Sequence, residues 1–240
     1  MTASEDTLRF CRYGSSEEWK NVLELYDKVL DLKAAKITRP KGKEELIELD
    51  KWYQEELPIM INSRDDKHIT HKEITKLMKW KLNRGKFRPR LAEMIQTNTE
   101  EAVVNASKKA FQCLPDLSAA IQALTVLKAV GPATASAVLA AGAPESAAFM
   151  ADESMHAFPE LVPLEYTLKH YNKYSELVRK TVRRLHKEEP EVRWCPHKVE
   201  LALWTHVIAT QLDGTMLEEV RRKRKKQEDN NKTNRKKQKK

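Results

Sequence analysis

Apolar residues recur every three or four positions along most of the chain, and no alternating apolar and polar run suggests a strand. The pattern therefore predicts an all-α protein. Ser15 and Glu18 have the spacing of a capping box, and the helix that they begin carries apolar residues from Trp19 to Leu30 on one face. A second helix carries Leu46, Ile47, Leu49, Trp52 and Tyr53, and it is expected to end near Pro58.

The remaining helices follow the same spacing. Thr70 and Glu73 cap a third helix, which runs into the turn Asn83-Arg84-Gly85. Pro190 is expected to end a long helix that carries Leu168, and Pro196 to begin the last one, which runs toward Gly214. Other helices are predicted near 90–97, 100–113, 116–127 and 132–141.

Length and composition indicate a globular protein and argue against a membrane-spanning or a secreted one. With 240 residues, of which 40% are hydrophobic, the chain is long enough to bury a core. No stretch reaches the roughly 18 uncharged apolar residues of a membrane span, so no membrane association is expected. The first residues lack the basic start and apolar run of a secretory signal, and the three cysteines are therefore expected to be reduced.

The positive charge lies mostly at the C-terminus. Residues 221–240 hold 12 of the 44 Lys and Arg residues but only two of the 35 acidic ones, so the tail carries a charge of +10 and the other 220 residues carry −1. Such a segment is expected to be disordered. Its two basic clusters, 221–226 and 235–240, resemble a two-part nuclear import signal, which predicts a nuclear protein that binds the import machinery. Non-specific attraction to nucleic acid is a second role for the tail, and an inert solubilising tail is the alternative.

A second basic segment lies inside the otherwise neutral body. Residues 76–90 carry seven positive charges and no acid. Such a segment suits a phosphate backbone, and Trp80 and Phe87 could stack on an exposed base. Equally, the two aromatic residues could face the core and the cations could complement the end of a helix dipole. The candidate phosphate contacts are Lys79, Lys81, Arg84, Lys86, Arg88 and Arg90.

The segment with the most specific chemistry is 124–139. One helix ends on Leu124 and Leu127, a short turn follows, and a helix rich in small residues begins at Pro132. Small side chains at Ala133, Ala135, Ala137 and Ala140 would let the second helix approach the first closely. The amides at the start of that helix lack internal acceptors, and the helix dipole is positive there, so the turn could bind a phosphate.

This segment resembles the helix-hairpin-helix motif, and more specifically the helix-hairpin-helix DNA glycosylase superfamily. The usual motif is Leu-x-x-Leu-x-Gly-Val-Gly-x-x-x-Ala, and the matching residues here are Leu124, Leu127, Val130, Gly131, Thr134 and Ala135. Ala129 replaces the first hairpin glycine, which restricts the turn. The resemblance implies DNA contacts by the hairpin residues Lys128, Ala129, Val130, Gly131, Pro132 and Thr134.

The resemblance also extends to an aspartate. In the superfamily, a loop with Gly and Pro, a short apolar run and an essential aspartate follow the hairpin, and this chain has Gly142, Pro144 and Asp152 in that order. The resemblance makes Asp152 the candidate catalytic residue, with Glu153 as a weaker substitute. A carboxylate there would stabilise the positive charge that develops on a deoxyribose as its base, flipped out of the DNA stack, leaves.

Three differences limit this resemblance. Members that also cut the DNA backbone have a lysine where this chain has Ala133, which predicts no Schiff-base lyase activity. The four cysteines of an iron–sulfur loop are missing, and no cofactor is expected. Asp152 is followed by Glu153 and Ser154 rather than by Thr and His.

Simpler roles are open for several of these residues. Asp152 could be a helix N-cap, and His156 could assist a proton transfer or be an ordinary polar residue. Cys195 and His197 lack a second ligand pair with zinc spacing, so no metal site is predicted.

Taken together, the sequence predicts a helical domain over 1–215, with its hairpin at 124–139, and a basic tail over 216–240. The leading hypothesis is a nuclear DNA-binding protein that resembles base-excision DNA glycosylases, with hydrolysis of the glycosidic bond by Asp152 as its activity. The alternatives are a DNA-binding adaptor that keeps the fold without catalysis and a helical domain that binds other proteins. DNA, including a damaged or mismatched base, is the expected partner.

Overall fold

The protein is described by a computed structural model that covers residues 5–220, and within them it is all-helical with no strand, as the sequence predicts. Residues 221–240, for which the sequence predicts a disordered tail, lie outside the described residues. The helices are α1 (Glu5–Tyr13), α2 (Ser16–Leu23), α3 (Tyr26–Ala34), α4 (Gly42–Lys51), α5 (Leu57–Asn62), α6 (His71–Arg84), α7 (Pro89–Ile95), α8 (Glu100–Gln112), α9 (Leu117–Leu124), α10 (Pro132–Gly142), α11 (Asp152–His156), α12 (Leu168–Glu188) and α13 (Pro196–Leu212).

Two helices occupy the segment that was expected to be one helix from Ser15 to Leu30. The backbone tightens at Leu25, whose N–H donates to the Val22 carbonyl three residues earlier, and α3 then continues from the turn. The apolar spacing continues across this turn, so the hydrophobic pattern carries no signal of the break. The Ser15 hydroxyl does cap α2 by accepting the Glu18 N–H, whereas the Glu18 carboxylate pairs with Arg9.

The expectation that the second helix ends near Pro58 is wrong. A wider π-helical turn, Trp52–Glu56, joins α4 to α5, and Pro58 lies in the first turn of α5. The extra residue of a π turn interrupts the regular hydrogen-bond ladder at the place where proline lacks an N–H, so the chain continues as helix.

Helix α10 lies at the centre of the domain. Every residue from Thr134 to Gly142 is buried, and the helix packs against α5, α6, α8, α9 and α12. The sequence predicts close packing of its small residues against the preceding helix. In the structure these residues permit close packing against all five neighbouring helices. A Cβ atom on Gly142 would lie 2.4 Å from the Phe111 ring, which shows how closely α8 approaches. The Tyr53 hydroxyl also donates to the Ala137 carbonyl at 2.8 Å. The helix thus forms a rigid base for the turn that precedes it.

The last helices, α12 and α13, begin and end where the sequence predicts, and the helical domain continues past them. Helix α12 begins at the Thr167 cap and ends just before Pro190, and α13 begins with Pro196 in its first turn, as expected. Residues 215–220 are also helical, and Met216, Leu217 and Val220 are buried, so the helical domain extends past the predicted boundary at residue 215. Between residues 5 and 220, no helix is both long enough and apolar enough to cross a membrane.

Candidate functional site

One cleft of about 360 Å³ brings together residues from segments that are distant in sequence. The C-terminal end of α6 and the loop after it form one part, the hairpin turn forms another, and the start of α11 forms the third. Polar and charged groups of the lining include Lys81, Lys86, Arg88, Asp152 and Tyr166, and Gly131 lies among them. The hairpin, the basic segment and the aspartate predicted from the sequence therefore share one concave surface.

The hairpin turn has a left-handed residue at its centre. Ala129 has a φ of 63°, a conformation that L-residues rarely adopt and that glycine adopts without penalty. Asn98, from the loop between α7 and α8, holds the turn: the Lys128 N–H donates to its side-chain oxygen at 2.9 Å, and its amide nitrogen donates to the Lys128 carbonyl at 3.0 Å. Asn98 thus holds both sides of the Lys128 peptide next to a left-handed alanine.

The start of α10 leaves backbone donors without partners at the cleft. Gly131 is the N-cap and has no side chain to accept from the first turn, while Pro132 has no N–H. Among the described residues, the N–H groups of Gly131, Ala133 and Thr134 find no acceptor. A Cβ atom on Gly131 would meet nothing within 4 Å, so the backbone is open to a ligand there. These three amides and the positive end of the helix dipole favour an anion.

Not every predicted hairpin contact is available. The Lys128 amide is engaged by Asn98, and the Val130 N–H donates to the Leu127 carbonyl at 3.2 Å. The side chains of Val130 and Thr134 are buried. The Lys128 side chain is exposed but does not line the cleft. The hairpin therefore presents mainly the backbone around Gly131 to a ligand.

Asp152 opens onto the cleft as the first residue of α11. Its side chain is 22% exposed; the Tyr166 hydroxyl donates to its Oδ1 at 2.7 Å, and the Lys86 Nζ lies 3.2 Å from its Oδ2. The N-cap position belongs to Ala151, so the alternative that Asp152 caps this helix is wrong. Its charge still complements the helix dipole from the first turn.

The loop before Asp152 is fixed against the hairpin helix. Residues 147–151 are buried, and the Met150 N–H donates to the Ser136 hydroxyl on α10 at 2.9 Å. The apolar run after Pro144 is thus a buried connection that sets the distance between the carboxylate and the amides of α10. Neighbouring Glu153 also lines the cleft, and its carboxylate lies 3.6 Å from the Lys33 amine.

His156 does not line the cleft, although it lies one turn after Asp152. Burial lowers the pKa of its imidazole, which leaves the ring neutral near pH 7. This placement gives no support to the alternative in which His156 transfers a proton at the site.

The basic segment divides between the cleft and the rest of the surface. Lys81, Lys86 and Arg88 line the cleft, and the Arg88 guanidinium lies 5.3 Å from the centre of the Tyr166 ring. Lys79 instead forms an ion pair with Glu45, away from the cleft. Arg90 is exposed but does not line the cleft either. Three of the predicted cations are thus well placed for a cleft ligand.

Arg84 requires a correction, because it cannot contact DNA from its position. Its side chain is 1% exposed, and its Nη1 lies 3.0 Å from Oε1 of Glu200, which is equally buried. Burial raises the pKa of Glu200, and the charge of Arg84 opposes that shift. The guanidinium also lies over the rings of Trp204, Trp80, Phe149 and Tyr26. Arg84 therefore forms the floor of the cleft and holds α6 to α13.

The two aromatic residues of the segment have opposite orientations. Trp80 is buried, stacks on Tyr53 with ring centres 3.5 Å apart, and donates to Asp50 at 2.7 Å. Phe87 is 72% exposed in the loop between Lys86 and Arg88. Of the two, only Phe87 can therefore meet a ligand.

Sequence reasoning did not identify Tyr166. This residue lies in the irregular stretch before α12, and its hydroxyl contacts the carboxylate of Asp152. Burial, together with the hydrogen bond to Asp152, raises the pKa of Tyr166 to about 12. No spacing or motif marks this tyrosine, because the contact depends on how the loop folds back over α11.

Comparisons with known proteins add no relative. No family model matches the chain, and neither the curated proteins nor the solved structures include a match. In the described part of the chain, no cluster of three or more His, Cys, Asp or Glu side chains could hold a metal ion.

Proposed function

We propose that this protein is a DNA-binding protein of the helix-hairpin-helix glycosylase type, and that it hydrolyses the N-glycosidic bond of a nucleotide turned into the cleft. The observation that carries the proposal is that the carboxylate of Asp152 and the unpaired amides at the start of α10 open onto the same cleft. A nucleotide has an anionic phosphate and a sugar that becomes cationic when its base leaves, and this cleft offers a partner for each.

The phosphate backbone would be held by the amides of Gly131, Ala133 and Thr134. Lys86 and Arg88, which line the same cleft, would add positive charge. Phe87, exposed between them, is available to stack on a base or to fill the space that a flipped base leaves. This division of roles fits DNA because it combines anion contacts that ignore sequence with an apolar contact to a base.

The chemistry would depend on Asp152. As the bond between C1′ and the base breaks, the electron pair leaves with the base and positive charge develops on the sugar. The carboxylate stabilises that charge and accepts a proton from the water that attacks C1′. The hydroxyl of Tyr166 fixes the direction of the carboxylate, and the exposed Lys86 amine is free to turn from Asp152 to a phosphate.

A second candidate function is DNA binding without catalysis. Both oxygens of Asp152 already have partners, Tyr166 and Lys86, and such a carboxylate could serve only to order the cleft. In this case the hairpin amides keep their role and the base is never released.

Nuclear localisation belongs to the same proposal. The two basic clusters that support it, 221–226 and 235–240, lie beyond the residues that the structure describes. A fluorescent fusion of the full chain should accumulate in the nucleus, and neutralising both clusters should distribute it through the cell. A nuclear signal that persists without the clusters would contradict this part of the proposal.

The decisive experiment is base release from a panel of duplexes. Purified full-length protein is incubated with duplexes that contain uracil, oxidised, alkylated or mismatched bases, and free base is detected by mass spectrometry. Wild type should release a base, Asp152→Asn should not, and Glu145→Gln should behave as wild type. Glu145 is the matched control because it is an exposed acid of the preceding loop and does not line the cleft. Binding without release across the panel would favour the second candidate, and no binding would refute both.

A further inference from the structure

Helix α12 carries an excess of positive charge that the cleft does not use. Its 21 residues include seven Lys and Arg side chains and only two acids, and none of them lines the cleft. Helix α4, by contrast, has two lysines and four acids. Like charges four residues apart on a helix repel each other, so the excess on α12 destabilises the free helix and would be relieved by an anionic partner.

Most of this charge forms one stripe along the outer side of the helix. The opposite side of α12 is buried, and it includes Tyr171, Tyr174 and Leu185. The exposed residues of the stripe recur every three or four positions, which places them on one face; they are Lys169, Lys173, Glu176, Lys180, Arg183 and Lys187. At 1.5 Å per residue the stripe is about 27 Å long, which is enough to follow several phosphates of a nucleic-acid strand.

The ion pairs of the stripe leave most of its charge available to a ligand. The Lys180 amine lies 3.2 Å from the Glu176 carboxylate, and both side chains are more than half exposed. Exposed pairs of this kind contribute little to stability, so the amine can turn to a phosphate at small cost. Within residues 5–220, no ion pair is formed by Lys169, Arg183 or Lys187.

An exposed aromatic residue lies beside the stripe. Tyr13, the last residue of α1, is 74% exposed, and its ring contacts no other ring in the described part of the chain. It lines a groove of about 340 Å³ together with Arg12 and Lys180. Glu160 in this groove lies 3.9 Å from Arg12, and its carbonyl accepts a hydrogen bond from Lys173. The groove thus joins an exposed aromatic ring to the middle of the basic stripe.

This combination fits a single strand better than a duplex. Proteins that hold single strands combine cations that follow the phosphates with aromatic side chains on which bases stack. In a duplex each base is covered by its neighbours and its pairing partner, so Tyr13 would find no free base. An acidic peptide would match the charges alone.

We propose that the stripe on α12, together with Tyr13, binds single-stranded DNA at a surface separate from the cleft. The choice of DNA rests on the proposed function, whereas the groove beside the stripe and the cleft share no lining residue. The strand places its phosphates along Lys180, Arg183 and Lys187 and stacks one base on Tyr13.

The test measures the binding of a fluorescent oligothymidylate to full-length protein by anisotropy, over a series of salt concentrations. The stripe variant combines Lys180→Gln, Arg183→Gln and Lys187→Gln. Its matched control removes three exposed lysines near α3 and α4, with Lys36→Gln, Lys43→Gln and Lys51→Gln. Both variants lose three charges and keep the basic tail. The stripe variant should bind at least about tenfold more weakly than the control. The slope of log affinity against log salt should fall by about 2, because each phosphate contact to a single strand contributes about 0.7.

The role of Tyr13 is tested separately. Tyr13→Ala should weaken binding by about fivefold or more, the usual effect of removing one stacked aromatic, and Tyr13→Phe should retain it. Photocross-linking of wild type to a strand that contains 5-iododeoxyuridine should give an adduct that peptide mapping locates on Tyr13. This mapping needs no variant, so misfolding of a variant cannot obscure it.

Four outcomes would overturn the proposal. Equal binding by the stripe variant and its control would mean that other parts of the chain hold the strand, and an adduct confined to the tail would mean the same. Tighter stripe-dependent binding of an undamaged duplex or of oligouridylate would refute the choice of single-stranded DNA. Displacement of the strand by polyglutamate at equal charge concentration would assign the surface to an acidic partner. All of these probes lack a damaged base, so a protein that releases no base can still bind them as proposed.

Discussion

Replacing Glu200 with glutamine removes the charge that neutralises Arg84 and keeps the size of the side chain. Both side chains are 1% exposed, and two nitrogen–oxygen contacts of 3.0 and 3.5 Å join them. Removing one partner of a buried ion pair costs about 3–5 kcal/mol, because the other charge stays unpaired. The aromatic rings around the guanidinium retain part of its stabilisation, so we expect about 3 kcal/mol. A domain of typical stability, about 5–15 kcal/mol, tolerates this loss and still folds.

Urea unfolding followed by circular dichroism at pH 7.5 measures this loss. Glu145→Gln, an exposed acid, is the matched control and should change the free energy of unfolding by less than about 0.5 kcal/mol. The salt dependence of DNA binding by folded Glu200→Gln should equal that of wild type, since an enclosed Arg84 contacts no phosphate. A loss in unfolding free energy below about 1 kcal/mol would refute the structural role assigned to Arg84.

Two further predictions concern the hairpin and the response to acid. Ala129→Gly should raise the free energy of unfolding by about 0.5–1 kcal/mol in the same assay, because relief of the left-handed strain outweighs the greater freedom of the unfolded chain. A destabilised variant would contradict the turn geometry. Burial, reinforced by Arg84, lowers the pKa of His197 to about 4, and its Nε2 donates to Gln54 at 2.8 Å. Between pH 6.5 and 4 the imidazole of the unfolded state gains a proton that the folded state does not bind. The free energy of unfolding should therefore fall by at most about 3 kcal/mol as the pH drops over this range. The variant His197→Gln should lose this part of the acid sensitivity. An unchanged pH profile in that variant would contradict this assignment.

Local signals predicted the elements that position the site. The Thr70 and Glu73 side chains form the expected capping box on α6, and Pro132 begins α10 where the resemblance placed the second hairpin helix. The order of Gly142, Pro144 and Asp152 predicted an aspartate near the hairpin, and both line one cleft. These features depend on residues that are close in sequence, so they can be predicted from the local sequence pattern.

Features that depend on distant partners were not predictable in the same way. An arginine in a basic segment is expected at the surface. Arg84 is buried because its charge is neutralised by Glu200, which lies 116 residues later in the sequence. Trp80 faces Tyr53 and Asp50 for the same reason. The contact of Tyr166 with Asp152 depends on the path of an irregular loop, which has no periodicity to read.

The central claim is that the carboxylate of Asp152 acts on a sugar held by the hairpin amides. Its most direct test is the single-turnover rate of base release from the best duplex of the panel, at protein concentrations that saturate the DNA. At equal occupancy, Asp152→Asn should reduce this rate by at least about 100-fold, the usual contribution of a positioned acid–base group. Equal rates for Asp152→Asn and wild type, or no release by saturated wild type from any duplex, would contradict the account.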